Sequence, residues 1–207
     1  IDKYNLSVKV MQSYANFTVG GSLSVNVHGR YVGQGAIISS VKKIKIVLAS
    51  GEIVTASPSV NAELFSAAIG GYGGVGVIVE VTLSLTDNVK VERTDTVMNI
   101  SSYATYFSNR IRNNKKVVFH NAVIYPNQYV EIRAISHKKT INPLTAKDRL
   151  KPIDKHLFLN RMALSFVSGS SLGKWIRMTM LDPLFYTKNQ VVMRNYEATY
   201  DVSELDP

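Results

Sequence analysis

Phe17-Thr18-Val19-Gly20-Gly21-Ser22-Leu23-Ser24-Val25-Asn26-Val27-His28-Gly29 is the stretch on which the reading of this chain turns. Gly20, Gly21 and Gly29 offer main-chain amides with no side chain in front of them, and Ser22, Ser24 and Asn26 add short polar groups. Close approach to a pyrophosphate needs both features, so the stretch is expected to cradle a phosphate. A second glycine-dense stretch runs from Gly70 through Gly71-Tyr72-Gly73-Gly74-Val75-Gly76-Val77-Ile78-Val79 to Glu80. It is expected to enter a strand and to let a planar ring or another chain lie against its backbone. Taken singly, each is also what an ordinary turn looks like.

The intervening sequence supplies a scaffold. Val41 to Ala49 alternates apolar residues with lysine, and Ser50-Gly51-Glu52 turns it into Ile53 to Ala56, which predicts a β-hairpin. After Ser57-Pro58, the run Asn61 to Ile69 has apolar residues at helical spacing behind an Asn at the N-cap, and it stops at Gly70-Gly71. Val75, Val77, Val79, Val81, Leu83 and Leu85 occupy successive odd positions, which predicts a long strand with one buried face. Gly71, Gly73 and Gly76 spell GxGxxG, but they follow a helix and open a strand, the reverse of the dinucleotide context, so a Rossmann fold is disfavoured.

A change of character at Thr86-Asp87-Asn88 sets an expected boundary, with domains at 1–87 and 88–207. Beyond it, Val89 to Met98 reads as a strand, and Ser101 is the expected cap of a helix carrying Tyr103, Tyr106, Phe107, Arg110 and Ile111. Val117 to Tyr125 and Tyr129 to Ser136 read as strands joined by Pro126-Asn127-Gln128. Thr140 to Lys155 is loop-like, Leu157 to Leu184 reads as helical on both sides of Gly169-Ser170-Ser171, and Val191 to Val202 as a final strand. The βαββ order predicts an α+β layer.

Composition narrows the function classes. There is no cysteine among 207 residues, which excludes disulfides, a thiolate nucleophile and thiolate metal or flavin attachment within this stretch. No His/Asp/Glu spacing suggests a metal. The net charge of +9 is spread along the chain instead of clustered, so nucleic acid is not an expected partner. No export signal or membrane span is visible. A basic apolar stretch with Arg161, Lys174, Trp175 and Arg177 has the character of an interfacial helix, though an ordinary amphipathic helix is preferred. Asn16-Phe17-Thr18 and Asn99-Ile100-Ser101 match a glycosylation pattern. The opening at Ile1 and the abrupt end at Ser203-Glu204-Leu205-Asp206-Pro207 are those expected of an internal piece of a longer polypeptide.

In order and separation, four blocks resemble the FAD-linked oxidases of the vanillyl-alcohol oxidase type, the PCMH-type FAD-binding fold. They are Thr18-Val19-Gly20-Gly21 through His28-Gly29, the hairpin Val47 to Val54, Asn61-Ala62-Glu63-Leu64-Phe65-Ser66-Ala67, and Gly70 through Thr82-Leu83. The match covers residues 4 to 86, and a looser similarity to sugar-alcohol and aldonolactone oxidases extends across the rest. The resemblance implies that residues 1–87 are the second subdomain of such an FAD domain, and that 88–207 are part of an α+β cap, or substrate, domain. It implies that Gly20, Gly21, Ser22 and Ser24 line the pyrophosphate and flavin edge, with Ser22 beside flavin N5. Asn26, His28 and Gly29 would continue that wall, and Gly76, Val77 and Ile78 would pack on the cofactor through their backbone.

The family's flavin-linking histidine belongs to a loop outside this chain, so His28 is expected to hydrogen-bond or pack on flavin, or simply to sit satisfied near a turn. His120 reads as a strand residue, His137 and His156 as surface. A hydroxyl-bearing small molecule would give a hydride to flavin N5 while a base takes its proton. The family's catalytic groups usually lie beyond Pro207, so no catalytic residue is assigned here. Arg194, Tyr196, Glu197 and Tyr200 are local candidates for a substrate wall, with packing preferred. The family's N-terminal FAD subdomain is absent from the chain and is the implied partner. The competing reading is a cofactor-free basic α+β interaction module.

Overall fold

The computed structural model describes residues 1–13, 17–124, 129–152, 162, 165–166, 169–187 and 189–199. The chain is a mixed α and β protein that divides into two compact units, Ile1–Asn88 and the residues from Val89 on.

In the first unit, β1 (Leu6–Val8) pairs antiparallel with β5 (Leu85–Asp87). A separate three-stranded antiparallel sheet runs in the order β3 (Ile53–Ala56), β2 (Val41–Val47), β4 (Val77–Leu83). The expected hairpin is present, with Val47 opposite Ile53 and Gly51 at φ +84 in its turn. Ile44 and Ile46 on the central strand are 1% and 0% exposed, each contributing ~1.5–3 kcal/mol by burial. A short helix α1 (Val19–Ser24) packs on the turn Ile37–Ser40, and α2 (Ala62–Ala68) packs on β3. Asn61 does stand at the N-cap of α2, but with φ 50, and its side chain makes no cap bond. Its amide instead donates to the Thr55 carbonyl at 2.9 Å, tying the helix start to β3.

The odd-numbered valines of β4 do not form one buried face. Ile78 lies opposite Ile46, but Glu80 lies opposite Lys45, so Val79 is an extra residue in the ladder. Such a bulge reverses the parity of the strand. Ile78 and Val81 therefore share the face of Ile46 and Ile44, whereas Val77 is 66% and Val79 56% exposed. On the outer face Lys45 and Glu80 pair at 2.8 Å, which holds the Glu80 carboxyl below the usual carboxylate range. In the next register row, Ile53, Val47 and Val77 lie side by side.

The second unit is built on a four-stranded antiparallel sheet in the order β7 (Val117–Ile124), β8 (Glu131–Lys139), β6 (Lys90–Asn99), β9 (Val191–Met193). Six consecutive residues of β8, Ile132 to His137, are buried, so both faces of the sheet are covered. Helix α3 (Ile100–Tyr106) continues into a wider π-type turn, Phe107–Ile111. Its cap is Asn99 and not Ser101: the Asn99 side-chain oxygen accepts from both the Ser101 amide and the Ser101 hydroxyl. Downstream, α4 (Ser171–Ile176) and α5 (Asp182–Thr187) flank a second π-type turn, Arg177–Leu181. Trp175 on α4 is 57% exposed, and Arg177 of the π-type turn pairs with Asp182 at 3.6 Å. The connection at 126–128, most of the expected helical stretch before Gly169, and His156, Arg161 and Tyr200 lie outside the described residues.

Two expectations in this unit are corrected. The final strand ends at Met193, and Arg194–Ala198 is a helix, α6, in which Arg194 and Asn195 are buried. His137 is not on the surface but 3% exposed, because both faces of the sheet are covered at this point of β8. Its Nε2 faces the Glu197 carboxylate at 3.4 Å, and its ring meets Phe119 edge-on. Glu197 therefore holds a structural partner on the sheet.

His120 links α3 to the sheet. Its Nε2 lies 2.9 Å from the Tyr103 hydroxyl and its Nδ1 2.9 Å from the Ser136 hydroxyl. Burial pushes the imidazole pKa down, partly opposed by a backbone hydrogen bond at Ile135. A histidine depressed in the fold takes its proton more readily when unfolded, so stability is complete above the unfolded value of about 6.5 and declines as pH falls through it. Thermal unfolding of this unit is expected at lower temperature near pH 5.5 than near pH 7.5, with a weaker dependence in His120→Gln. Equal slopes in the two proteins would remove His120 as the cause.

Candidate functional site

The residues singled out in the sequence lie in the first unit, on α1, the loop after it, the glycine segment after α2, and the start of β4. The Thr18–Gly29 stretch is not an open loop throughout. Thr18 caps α1, its hydroxyl oxygen accepting from the Gly21 amide at 3.0 Å. The helix is short because Val25 leaves helical geometry and Asn26 follows with φ 46.

Within it the glycines differ. A Cβ at Gly20 would have nothing within 4 Å, so this residue presents bare backbone to open space in the first helical turn, where amides lack an intrahelical acceptor. A Cβ at Gly21 would come 3.1 Å from the Thr18 hydroxyl, so Gly21 serves the cap. A Cβ at Gly29 would meet the Met11 carbonyl at 2.3 Å and the Tyr31 ring at 3.0 Å, which makes Gly29 a requirement of internal packing. Ser22 is 7% exposed, and His28 is on the surface.

The two glycine-dense segments meet through main-chain bonds. The Gly70 amide donates to the Leu23 carbonyl at 2.9 Å, and the Tyr72 amide to the Ser24 carbonyl at 3.1 Å. Asn26 sits at the same joint: a Cβ at Gly70 would be 3.1 Å from the Asn26 Cβ, and the Asn26 side-chain oxygen accepts from the Ile38 amide at 3.2 Å. Thus Leu23, Ser24 and Asn26 lie against Gly70 to Tyr72, while Gly20, Gly21 and Ser22 belong to the same short helix, α1. Sequence reasoning passed over the Leu23 and Ser24 carbonyls, because an acceptor supplied by the main chain leaves no mark in residue type.

Gly76, Val77 and Ile78 belong to a different setting. Gly76 has φ +146, and its Cβ would strike the Val47 carbonyl at 2.5 Å and the Ile46 side chain at 2.9 Å. Its identity is fixed by packing on β2. Ile78 faces the sheet core opposite Ile46, and Val77 faces outward. Among the described residues, no hydrogen bond joins 76–78 to 18–29.

The segment of sequence that contains α1 has no acidic residue. From Lys3 to Gly51 the chain carries no Asp or Glu, but it carries Lys3, Lys9, Arg30, Lys42, Lys43 and Lys45. A negatively charged group near Gly20 therefore meets no like charge from its own segment. Among the described residues, no cluster of three or more His, Asp or Glu could hold a metal ion, and no helix is long and apolar enough to cross a membrane.

No protein-family model matches the chain. Curated proteins do. Cytokinin dehydrogenase 9 of Oryza sativa subsp. japonica is 40% identical over 92 residues, 44% of this chain and 18% of the relative. The D-arabinono-1,4-lactone oxidase of Yarrowia lipolytica is 28% identical over 109 residues, 53% of this chain and 21% of the relative. The FAD-dependent monooxygenase yanF of Aspergillus niger is 30% identical over 129 residues, 56% of this chain and 22% of the relative. The matched stretch therefore spans about a fifth of the length of each of these relatives. The similarity bears out the resemblance to FAD-linked oxidases read from the four blocks. A dehydrogenase, an oxidase and a monooxygenase share oxidoreduction, and the first two are named for different substrates.

Proposed function

We propose that residues 1–87 are the second subdomain of a PCMH-type FAD-binding domain, that 88–207 are part of its α+β substrate domain, and that the whole protein oxidises a hydroxyl-bearing small molecule. The joint between the two glycine segments carries this reading. It sets Leu23, Ser24 and Asn26 against Gly70 to Tyr72, and the helix that ends there also carries Gly20, Gly21 and Ser22 in a stretch of sequence free of carboxylates. Bare backbone at Gly20, with open space before it, fits the pyrophosphate of FAD. Flavin, when bound, supplies the hydride acceptor. The chain's own part is to hold and orient: the Gly20 backbone in the first turn of α1 meets the phosphates, Ser24, Asn26 and His28 continue the wall, and the basic surplus of residues 3–51 favours an anion. Because the relatives are several times longer than the matched stretch, we assign the opposite wall of the site to further polypeptide, with a small-molecule substrate between.

Gly20→Asp separates binding from folding. An Asp in the first turn of a helix is neutral or favourable for the helix, and the space at Gly20 accommodates it. A carboxylate against a pyrophosphate is repulsive, so flavin retention is expected to fall at least tenfold, about 1.4 kcal/mol, with thermal stability of the apoprotein unchanged. The measurement is the visible absorbance of the full-length protein purified with and without the substitution, before and after denaturation. A colourless wild type that takes up no FAD would instead favour the cofactor-free module, and an equally yellow Gly20→Asp protein would remove α1 from the site.

A further inference from the structure

The turn Gly71–Gly74 is closed by the Gly74 amide donating to the Gly71 carbonyl at 2.8 Å, with Tyr72 at φ 52 and Gly73 at φ 79. Two successive left-handed residues inside such a turn are the mark of a type I′ turn, where Gly, Asn and Asp dominate because a Cβ crowds the backbone. A bulky aromatic in the first of those positions is unfavourable. Nothing within the fold offsets it: the Tyr72 side chain is 78% exposed, and among the described residues no hydrogen bond, ring or charge engages it. The bond from its amide to Ser24 would be made as well by glycine. Folding therefore explains the backbone of residue 72 and not its side chain.

What the position does provide is an exposed aromatic ring on a backbone tied to α1. The Tyr72 amide is fastened to the last residue of α1, the helix whose first turn holds Gly20, and a Cβ on the following Gly73 would have nothing within 4 Å. A flat ring approaching Tyr72 meets no neighbouring side chain at residue 73. We propose that Tyr72 is a stacking platform for a planar heteroaromatic ring of the cofactor, a role that rests on the flavin reading of this site. The strain is retained because the ring binds a ligand, as strained residues at binding sites commonly do. FAD carries two such rings, isoalloxazine and adenine, and either would stack on the phenol face.

The test uses Tyr72→Gly and Tyr72→Phe in the full-length protein, titrated with FAD, with FMN, which lacks adenine, and with ADP, which lacks isoalloxazine. Tyr72→Gly is expected to bind FAD about tenfold more weakly, within the range lost when one ring stack is removed, while melting at higher temperature because the left-handed strain is gone. Tyr72→Phe keeps the platform and is expected to keep the affinity. A matching loss for FMN alone places isoalloxazine on Tyr72, and a loss for ADP alone places adenine there; either supports the platform. A wild type that binds FAD, with a glycine variant binding it equally, overturns the platform and leaves the flavin reading standing. A wild type that binds none of the three overturns the flavin reading, and the platform with it.

Discussion

Gly76→Ala is expected to cost the first unit on the order of 3–5 kcal/mol, enough to leave a marginal domain largely unfolded. Two independent penalties coincide there. The backbone has φ +146, a region L residues rarely adopt, and the added Cβ would lie 2.5 Å from the Val47 carbonyl. That carbonyl belongs to the end of the central strand β2, so it cannot swing aside as a flexible side chain would. Gly51→Ala is the natural comparison: φ is +84, but nothing lies within 4 Å of the new carbon, so only the backbone penalty of about 1 kcal/mol applies. Urea unfolding of both variants should show Gly76→Ala losing several times more than Gly51→Ala at unchanged slope. Similar losses would mean that the β2–β4 approach relaxes around the methyl group.

Phe119→Ala is expected to remove about 3–5 kcal/mol from the second unit. Phe119 is 1% exposed on β7 and is among the largest fully buried side chains described. It also carries two polar neighbours on its ring: His137 meets it edge-on at 6.0 Å between centroids, and the Arg194 guanidinium lies 5.7 Å from its centroid. Truncation leaves a cavity beside the His137–Glu197 pair and removes the surface that orients both. Phe119→Leu keeps most of the volume and is expected to cost roughly 1 kcal/mol. Denaturant unfolding followed on the second unit distinguishes the two; equal losses would mean that ring packing, and not volume, dominates.

Local signals made much of the scaffold legible. Ser50-Gly51-Glu52 announces the β2–β3 hairpin because Gly51 must adopt φ +84, and Asn61 through Ala68 announces α2 by apolar spacing ended at Gly70, whose φ is +90. Where the reading went wrong, the deciding information was long-range. The valines of β4 alternate without a break in sequence, and only pairing with β2 shows that Val79 is an extra residue that turns Val77 outward. After Met193, burial of Arg194 and Asn195 in α6 is a tertiary outcome that a strand pattern cannot announce. The same holds at the site. Gly20, Gly29 and Gly76 look alike as letters, yet one faces open space and two are demanded by a carbonyl within 2.5 Å of the absent Cβ.

The joint between the glycine segments is written almost entirely in amides and carbonyls: Gly70 to Leu23, Tyr72 to Ser24. Mutational drift acts on side chains, so most replacements along these two segments leave such a joint untouched. At the joint itself, a new Cβ would intrude at Gly71 against the Ala67 carbonyl and at Gly70 against Asn26. A lineage can therefore rewrite many side chains of this neighbourhood and still inherit its shape, as long as the glycines whose Cβ would strike a carbonyl are kept.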